Sequence, residues 1–288
     1  MPKLIDVHTH THFAAYENSK EVIERALEKD IWLVNVGTQK DTSKGAVEFA
    51  EGYSEGVYAA VGLHPTHTDK SYHDAKELGG GEAAKAFTSR GEVFDYEHYK
   101  KLGASEKVVA IGECGLDYYR VPQTNADGTQ IDTESIKDKQ KVAFEMQIKL
   151  SHELQKPLMI HCRNAFPDLI KMLNVNGQLL NVDAPGIVHF FTGSVTDAEK
   201  LKEMGFYFSF GGVTTFTNDY DEQIKTIGIE RIVLETDAPY VAPVPFRGKR
   251  NEPSYIEHVA SAIGEKLGIS ADEVADKTTQ NVRKVLGI

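Results

Sequence analysis

The 288-residue sequence has only two cysteines, Cys114 and Cys162. Two are too few for a disulfide framework and point to a reduced chain with one bridge at most. No apolar run approaches the roughly 18 residues that a membrane-spanning helix needs. The opening residues, MPKLIDVH, lack the apolar core and small-residue cleavage site of a secretory signal. A cytoplasmic protein is expected, with a nuclear location also open in a eukaryotic source. Positive charge is scarce: 32 Lys and Arg face 43 Asp and Glu, for a net charge of −11. That balance argues against a general polyanion or membrane-surface binder. It leaves room for an enzyme that grips a few phosphates locally or screens them with metal ions. The familiar nucleotide and nucleophile motifs are missing too. There is no G-x-x-x-x-G-K-S/T, G-x-G-x-x-G, G-x-S-x-G, H-E-x-x-H or C-x-x-C.

What is present is ordinary globular composition, 41% hydrophobic and 26% charged. Short Val/Ile-rich runs at 4–10, 31–37, 56–64, 107–113, 157–163, 186–191, 205–211 and 231–237 read as strands. Amphipathic segments lie between them. Ala143, Met146, Leu150 and Leu154 share one helical face, as do Ile256, Val259, Ile263 and Leu267. Ser270 and Glu273 fit a capping box that opens a terminal helix. Eight strand runs alternating with helices give an α/β protein, a (β/α)8 TIM barrel over residues 1–288 as a single domain. An open doubly wound sheet is the alternative on pattern alone. Two polar, turn-rich stretches, 68–105 and 121–135, read as insertions on the C-terminal face of the barrel.

Metal-ligand residue types recur at the ends of these runs. Asp6, His8, His10 and His12 alternate through the first, and strand period two puts His8 and His10 on one face. His12 lies past the strand and belongs to a loop. The third run ends in His64, the fourth in Glu113 and the fifth in His161. The sixth contains His189 and the eighth ends in Asp237. Barrel enzymes place catalytic groups at such ends. Imidazoles and carboxylates together suit Zn, Mn or Mg, and a two-metal site needs a bridging carboxylate. Glu113, in the middle of the set, is the natural bridge. Asp237 can both ligate a metal and act as general base. Cys114 and Cys162, one residue beyond Glu113 and His161, turn away from that face as packing residues. Candidate phosphate contacts are Arg163 and the cluster Arg247, Lys249 and Arg250. Tyr118, Tyr119, Phe190, Phe191 and Tyr240 are candidates for stacking on bases, although such aromatics are as common in cores and rims.

The stretches D-V-H-T-H (6–10), G-L-H-P (62–65), G-E-C-G-L-D-Y-Y (112–119), P-L-M-I-H-C-R (157–163), H-F-F-T-G (189–193), E-T-D-A-P-Y (235–240) and R-G-K-R-N-E-P (247–253) resemble the TatD family of metal-dependent deoxyribonucleases. The resemblance runs in order through nearly the whole chain. It implies an amidohydrolase-like TIM barrel with His8, His10, Glu113, His161, His189 and Asp237 as ligands of two divalent ions. Glu113 would bridge, His64 would sit beside the site to bind or protonate a phosphate, and Arg163 would face the substrate. The implied activity is DNA phosphodiester hydrolysis, often exonucleolytic from the 3′ end, with Mg commonly used and Zn or Mn also seen. Single-stranded DNA or 3′ ends are the expected partners, with no membrane and no obligate protein partner. At 68–105 and 121–135 the chain departs from the compact bacterial pattern and looks more like the eukaryotic branch. The same donors equally suit an amidohydrolase acting on a small amide, ester or lactone. A metal-stabilised binding protein without turnover is the third reading.

Overall fold

The Val/Ile-rich runs are too apolar to leave a face in water, and the chain solves this by burying both faces of every strand. The computed structural model describes residues 1–70, 72–76, 80–119, 133–181 and 183–288. Eight strands pair in parallel: β1 (Leu4–Thr9), β2 (Ile31–Val36), β3 (Val57–Val61), β6 (Val108–Asp117), β7 (Leu158–Arg163), β8 (Gly186–Val188), β9 (Tyr207–Phe210) and β10 (Ile232–Leu234). They close into a barrel in the order β1-β10-β9-β8-β7-β6-β3-β2. The expected TIM-type barrel is therefore present, with one strand for each of the eight runs. The helices on its outside are α1 (Ser19–Leu27), α2 (Lys40–Glu51), α3 (Tyr96–Gly103), α4 (Thr133–Leu154), α5 (Phe166–Val175), α6 (Val195–Glu203), α7 (Asp221–Ile227) and α8 (Ile256–Leu267), followed by α9 (Ala271–Leu286).

The core divides in two. The outer part packs strand residues such as Leu33, Ile111, Cys114 and Cys162 against the helices. Both cysteines are free and buried there. The inner part draws on every barrel strand, through Ile5, Val7, Val34, Ala60, Ala110, Met159, Ile187, Tyr207 and Val233. It also includes Val282, Val285 and Leu286 of α9, which packs across the N-terminal end of the barrel. There Asn281 donates to the carbonyls of Ile229 and Ile232, and the Thr279 hydroxyl donates to that of Lys3. Ser270 caps α9 by accepting from the Glu273 N–H.

Two register slips position the mouth. The pairing of β1 with β2 gains one residue between Asp6 and Thr9. The pairing of β6 with β7 gains one between Ile111 and Cys114. Strict alternation from Leu4 or Ile111, both in the outer core, would send His8 and Glu113 out among the helices. The extra residue re-aims each of them, as bulges beside active sites do. Strand β6 also runs four residues past its expected end at Glu113. It does so because Gly112 and Gly115 let β6 and β7 approach. A Cβ at Gly112 would lie 2.3 Å from the Met159 carbonyl oxygen, and one at Gly115 2.1 Å from that of His161.

The 68–105 stretch carries a two-stranded antiparallel hairpin, β4 (Tyr72–His73) with β5 (Phe87–Thr88), and ends in α3. The helix α3 packs between α2 and α4, so this part of the stretch is the barrel's own crossover helix. Of the 121–135 stretch, residues 121–132 lie outside the described residues. A 3-10 turn at Pro65–His67 joins β3 to the hairpin and buries His67, whose ring lies 5.7 Å from that of Phe87. Burial, then the nearby His64 and His73, pushes the His67 pKa down to about 3.

Two outcomes are expected. Gly115→Ala should lower folding stability by about 2–3 kcal/mol, because a methyl group must enter the β6–β7 contact. A urea midpoint equal to wild type would contradict this close approach. His67 stays neutral in the folded chain while the unfolded chain takes up a proton below about pH 6.5. Stability should therefore fall as pH drops from about 6.5 toward 3, by about 1.4 kcal/mol per pH unit for this one proton. In chelator-treated protein, His67→Gln should flatten the acid limb of stability by that slope. An unchanged slope would show that His67 is protonated in the folded state.

Candidate metal centre

At the C-terminal end of the barrel, side chains from β1, β6, β7, and the turns after β3, β8 and β10 converge. Three overlapping groups could hold a metal ion: His8, His10 and Asp237; His8, Glu113 and His189; and His64, Glu113 and His161. Within each group the donor atoms lie within 4.8 Å of one another. Glu113 spans two of them. Its Oε1 lies 2.8 Å from His189 Nε2, 3.1 Å from His161 Nδ1 and 3.2 Å from His64 Nε2. Its Oε2 lies 3.4 Å from His8 Nε2. Asp237 Oδ1 lies 3.5 Å from His10 Nε2 and 3.9 Å from His8 Nε2. Asp237 is the most exposed of these groups, its side chain 18% accessible against 5% for Glu113. All six residues expected as ligands, and His64 beside them, thus meet in one place.

The residues behind each ring set its tautomer. His10 Nδ1 faces the Val36 carbonyl at 2.7 Å, so Nδ1 carries the proton and Nε2 turns a lone pair to the site. His64 is the reverse. Its Nδ1 accepts from the Thr66 N–H, which leaves the N–H on Nε2, pointed at Glu113. His64 is therefore built as a donor in its neutral form, unlike His10. His161 Nε2 faces Asp117 Oδ2 at 2.8 Å, and His189 Nδ1 faces Glu235 Oε2 at 3.5 Å. Asp117 also accepts from the Tyr119 N–H, and the Ser209 hydroxyl donates to Glu235. Asp6, fully buried, accepts from the backbone N–H groups of His8 and Thr236 and so ties β1 to the chain after β10.

Electrostatics follow from these contacts. Burial opposes a charge on Glu113, but the surrounding His64, His189, His8 and His161 outweigh it and hold the carboxyl well below the usual range. Burial also opposes charge on His161 and His189. Each has a carboxylate on both ring nitrogens, however, and both are pushed up. His8 and His64 go down, because burial there outweighs the pull of Glu113. The result is a buried anion ringed by imidazoles, with nitrogen pairs such as His8 Nε2 and His10 Nε2 only 3.3 Å apart.

His12 joins none of the three donor groups. Its Nδ1 faces Asn35 Oδ1 at 3.3 Å, and burial followed by the nearby His10 pushes its pKa down to about 3. Of the expected phosphate contacts, Arg163 lies at the mouth with its guanidinium 3.6 Å from the centre of the Tyr119 ring. Arg247 and Lys249 are exposed on the loop after β10. Arg250 is held differently: it donates to the Ala15 carbonyl and Asn18 Oδ1, pairs with Glu252 and lies over the Tyr16 ring. Among the candidate stacking residues, Phe191 is core and Tyr118 donates to Asp168, whereas Tyr119 is exposed. Sequence reasoning passed over Asp117, Glu235 and Ser209. Asp117 and Glu235 were visible only as carboxylates four residues after Glu113 and two before Asp237.

Comparison with known proteins gives the family and the fold. The model of the TatD related DNase family matches residues 5–287. The Bacillus subtilis protein YabD, described as an uncharacterized metal-dependent hydrolase, is 38% identical over 99% of both chains. A Klebsiella pneumoniae protein named 3′-5′ ssDNA/RNA exonuclease TatD is 29% identical, over 93% of this chain and 91% of that one. Among solved structures, the TatD homologue YJJV of Escherichia coli shares the fold with a TM-score of 0.78 at 24% identity, over 99% of this chain and 98% of that one. With its donors at the strand ends and a family match from end to end, the chain belongs to the TatD related DNase family.

Proposed function

We propose that this chain, a metal-dependent hydrolase by family, cleaves phosphodiester bonds of DNA and removes nucleotides from the 3′ end. The observation that carries the reading is Glu113, a buried carboxylate whose Oε1 faces His189, His161 and His64 and whose Oε2 faces His8. The donors fit two divalent ions, Mg for activity with Zn or Mn as alternatives. His8, His10 and Asp237 would hold one, His161 and His189 the other, and Glu113 both. The fit is supported by the donor atoms that converge there, such as His8 Nε2 and His10 Nε2 at 3.3 Å and His161 Nδ1 and His189 Nε2 at 3.3 Å. Bound there, such ions supply Lewis acidity, drawing charge from a phosphoryl oxygen and acidifying water.

The chain's own groups divide the remaining work. Asp237, the most exposed donor, orients the attacking water and takes its proton. The water oxygen bonds to phosphorus as the bond to the leaving oxygen breaks. His64, with its Nε2–H fixed by the Thr66 amide, donates a hydrogen bond that offsets the charge on the leaving oxygen, and that oxygen takes its proton from solvent. Arg163, Arg247 and Lys249 bind phosphate oxygens and offset the net negative charge of the protein. Arg250, tied to Asn18, Tyr16 and Glu252, anchors the loop that carries the other two cations. The name of the Klebsiella relative supports the 3′-to-5′ direction and an unpaired strand as substrate.

A 5′-labelled single-stranded oligonucleotide tests this. With Mg, wild type should give a ladder shortening from the 3′ end, lost on adding EDTA. Glu113→Gln should fold normally by circular dichroism yet fall by about 1000-fold or more in rate. Wild-type turnover in that variant would sink the assignment. No cleavage with Mg, Mn or Zn would move the substrate to a small amide, ester or lactone. Independently, Asp117→Asn and Glu235→Gln should each weaken metal binding by about 10- to 100-fold, since both carboxylates orient ligand rings. Titration calorimetry of the chelator-treated protein reads this directly, with two ions per wild-type chain. Unchanged affinity in both variants would show that the rings need no such support.

A further inference from the structure

The chain has twelve tyrosines, thirteen phenylalanines and one tryptophan. Among the described residues, the aromatic side chains left exposed are Tyr72, Tyr119 and Phe216. All three lie on segments that leave the C-terminal ends of barrel strands: the hairpin after β3, the end of β6, and the turn after β9. Two of them are backed by arginine. The Arg163 guanidinium lies 3.6 Å from the centre of the Tyr119 ring, and that of Arg247 lies 3.6 Å from the centre of Phe216. With a cation over one face, Tyr119 remains 48% and Phe216 37% exposed. An exposed cation–π pair contributes only about 0.5–1 kcal/mol, which explains poorly why two large rings stay in water at this one rim.

The pairs stand apart on the rim. Tyr119 and Arg163 come from the adjacent strands β6 and β7. Phe216 and Arg247 follow the adjacent strands β9 and β10. Strand β8, with His189 just beyond it, lies between them. Arg247 also lines a cavity of about 320 Å³ with Lys249, Gly80, Gly81, Val241 and Ala242. A cation for phosphate beside a flat apolar face for a base is the pairing that single-strand binding surfaces use.

We propose that Tyr119 with Arg163, and Phe216 with Arg247, are two nucleobase platforms that flank the metal centre and select an unpaired strand. This inference rests on the phosphodiesterase reading above. In a duplex each base face is covered by its neighbours, so the platforms accept only unstacked bases. Stacking does not read the 2′-hydroxyl, so the platforms serve DNA and RNA alike. Base identity should matter little.

The test uses metal-loaded protein and a fluorescent phosphorothioate 12-mer of thymidine, which resists hydrolysis during an anisotropy titration. An abasic strand with the same backbone serves as comparison. Wild type should bind the thymidine strand at least about tenfold more tightly than the abasic one. Tyr119→Ala and Phe216→Ala should each remove most of that preference, while Tyr119→Phe and Phe216→Tyr restore it. Alanine variants that keep the wild-type preference overturn the platforms. So does a wild type that cleaves single-stranded DNA yet binds both strands equally, and in that case the hydrolase reading survives. A wild type that neither binds nor cleaves either strand fails the phosphodiesterase reading itself.

Discussion

A carboxylate buried at the mouth of a closed barrel sets the terms for everything around it. Glu113 is 4% exposed and ionised, and an isolated charge in that position would cost many kcal/mol. Removing water from it is tolerable only because His64, His161, His189 and His8 converge on its two oxygens. Those rings come from four different segments, so the barrel must close in the right register before the charge is compensated. The slips in β1 and β6 are part of that requirement. Without them His8 and Glu113 would point into the apolar layer beneath the helices. Fold and site are therefore coupled, and the bulges are where the coupling is made.

The shell behind the rings refines the chemistry. A carbonyl behind His10 and an amide N–H behind His64 give two imidazoles on one rim opposite proton assignments. Carboxylates behind His161 and His189 give those rings basic character and a fixed orientation. Residue type alone would make all four equivalent. Their hydrogen-bond partners make them distinct, so one cluster presents both ring lone pairs and ring N–H donors.

Much of this was legible in the sequence, for physical reasons. Strands buried on both faces must be short and continuously apolar, so all eight runs were readable. Ligands at C-terminal strand ends stand out because His and carboxylates interrupt those runs. The strand ends were less legible. At β6 the run appeared to stop at Glu113, because a glycine-rich stretch reads as a turn, whereas Gly112 and Gly115 serve close approach to β7. His12 read correctly as a loop residue, but its burial against Asn35 was hidden. Asp117 and Glu235 were invisible as positioning groups because their role depends on which ring each one faces. Arg250 shows a different limit. Its place in a basic cluster points to substrate, and its contacts to Asn18, Tyr16 and Glu252, from segments more than 200 residues away or from its own loop, are legible only in the fold.

The helix α9, with Val282, Val285 and Leu286 among the inner barrel residues, has a consequence for traffic. A barrel stoppered at its lower end is a cup and not a tunnel. Whatever reaches the centre arrives and departs through one opening. Substrate and product share that opening, so each product must clear the rim before the next substrate enters.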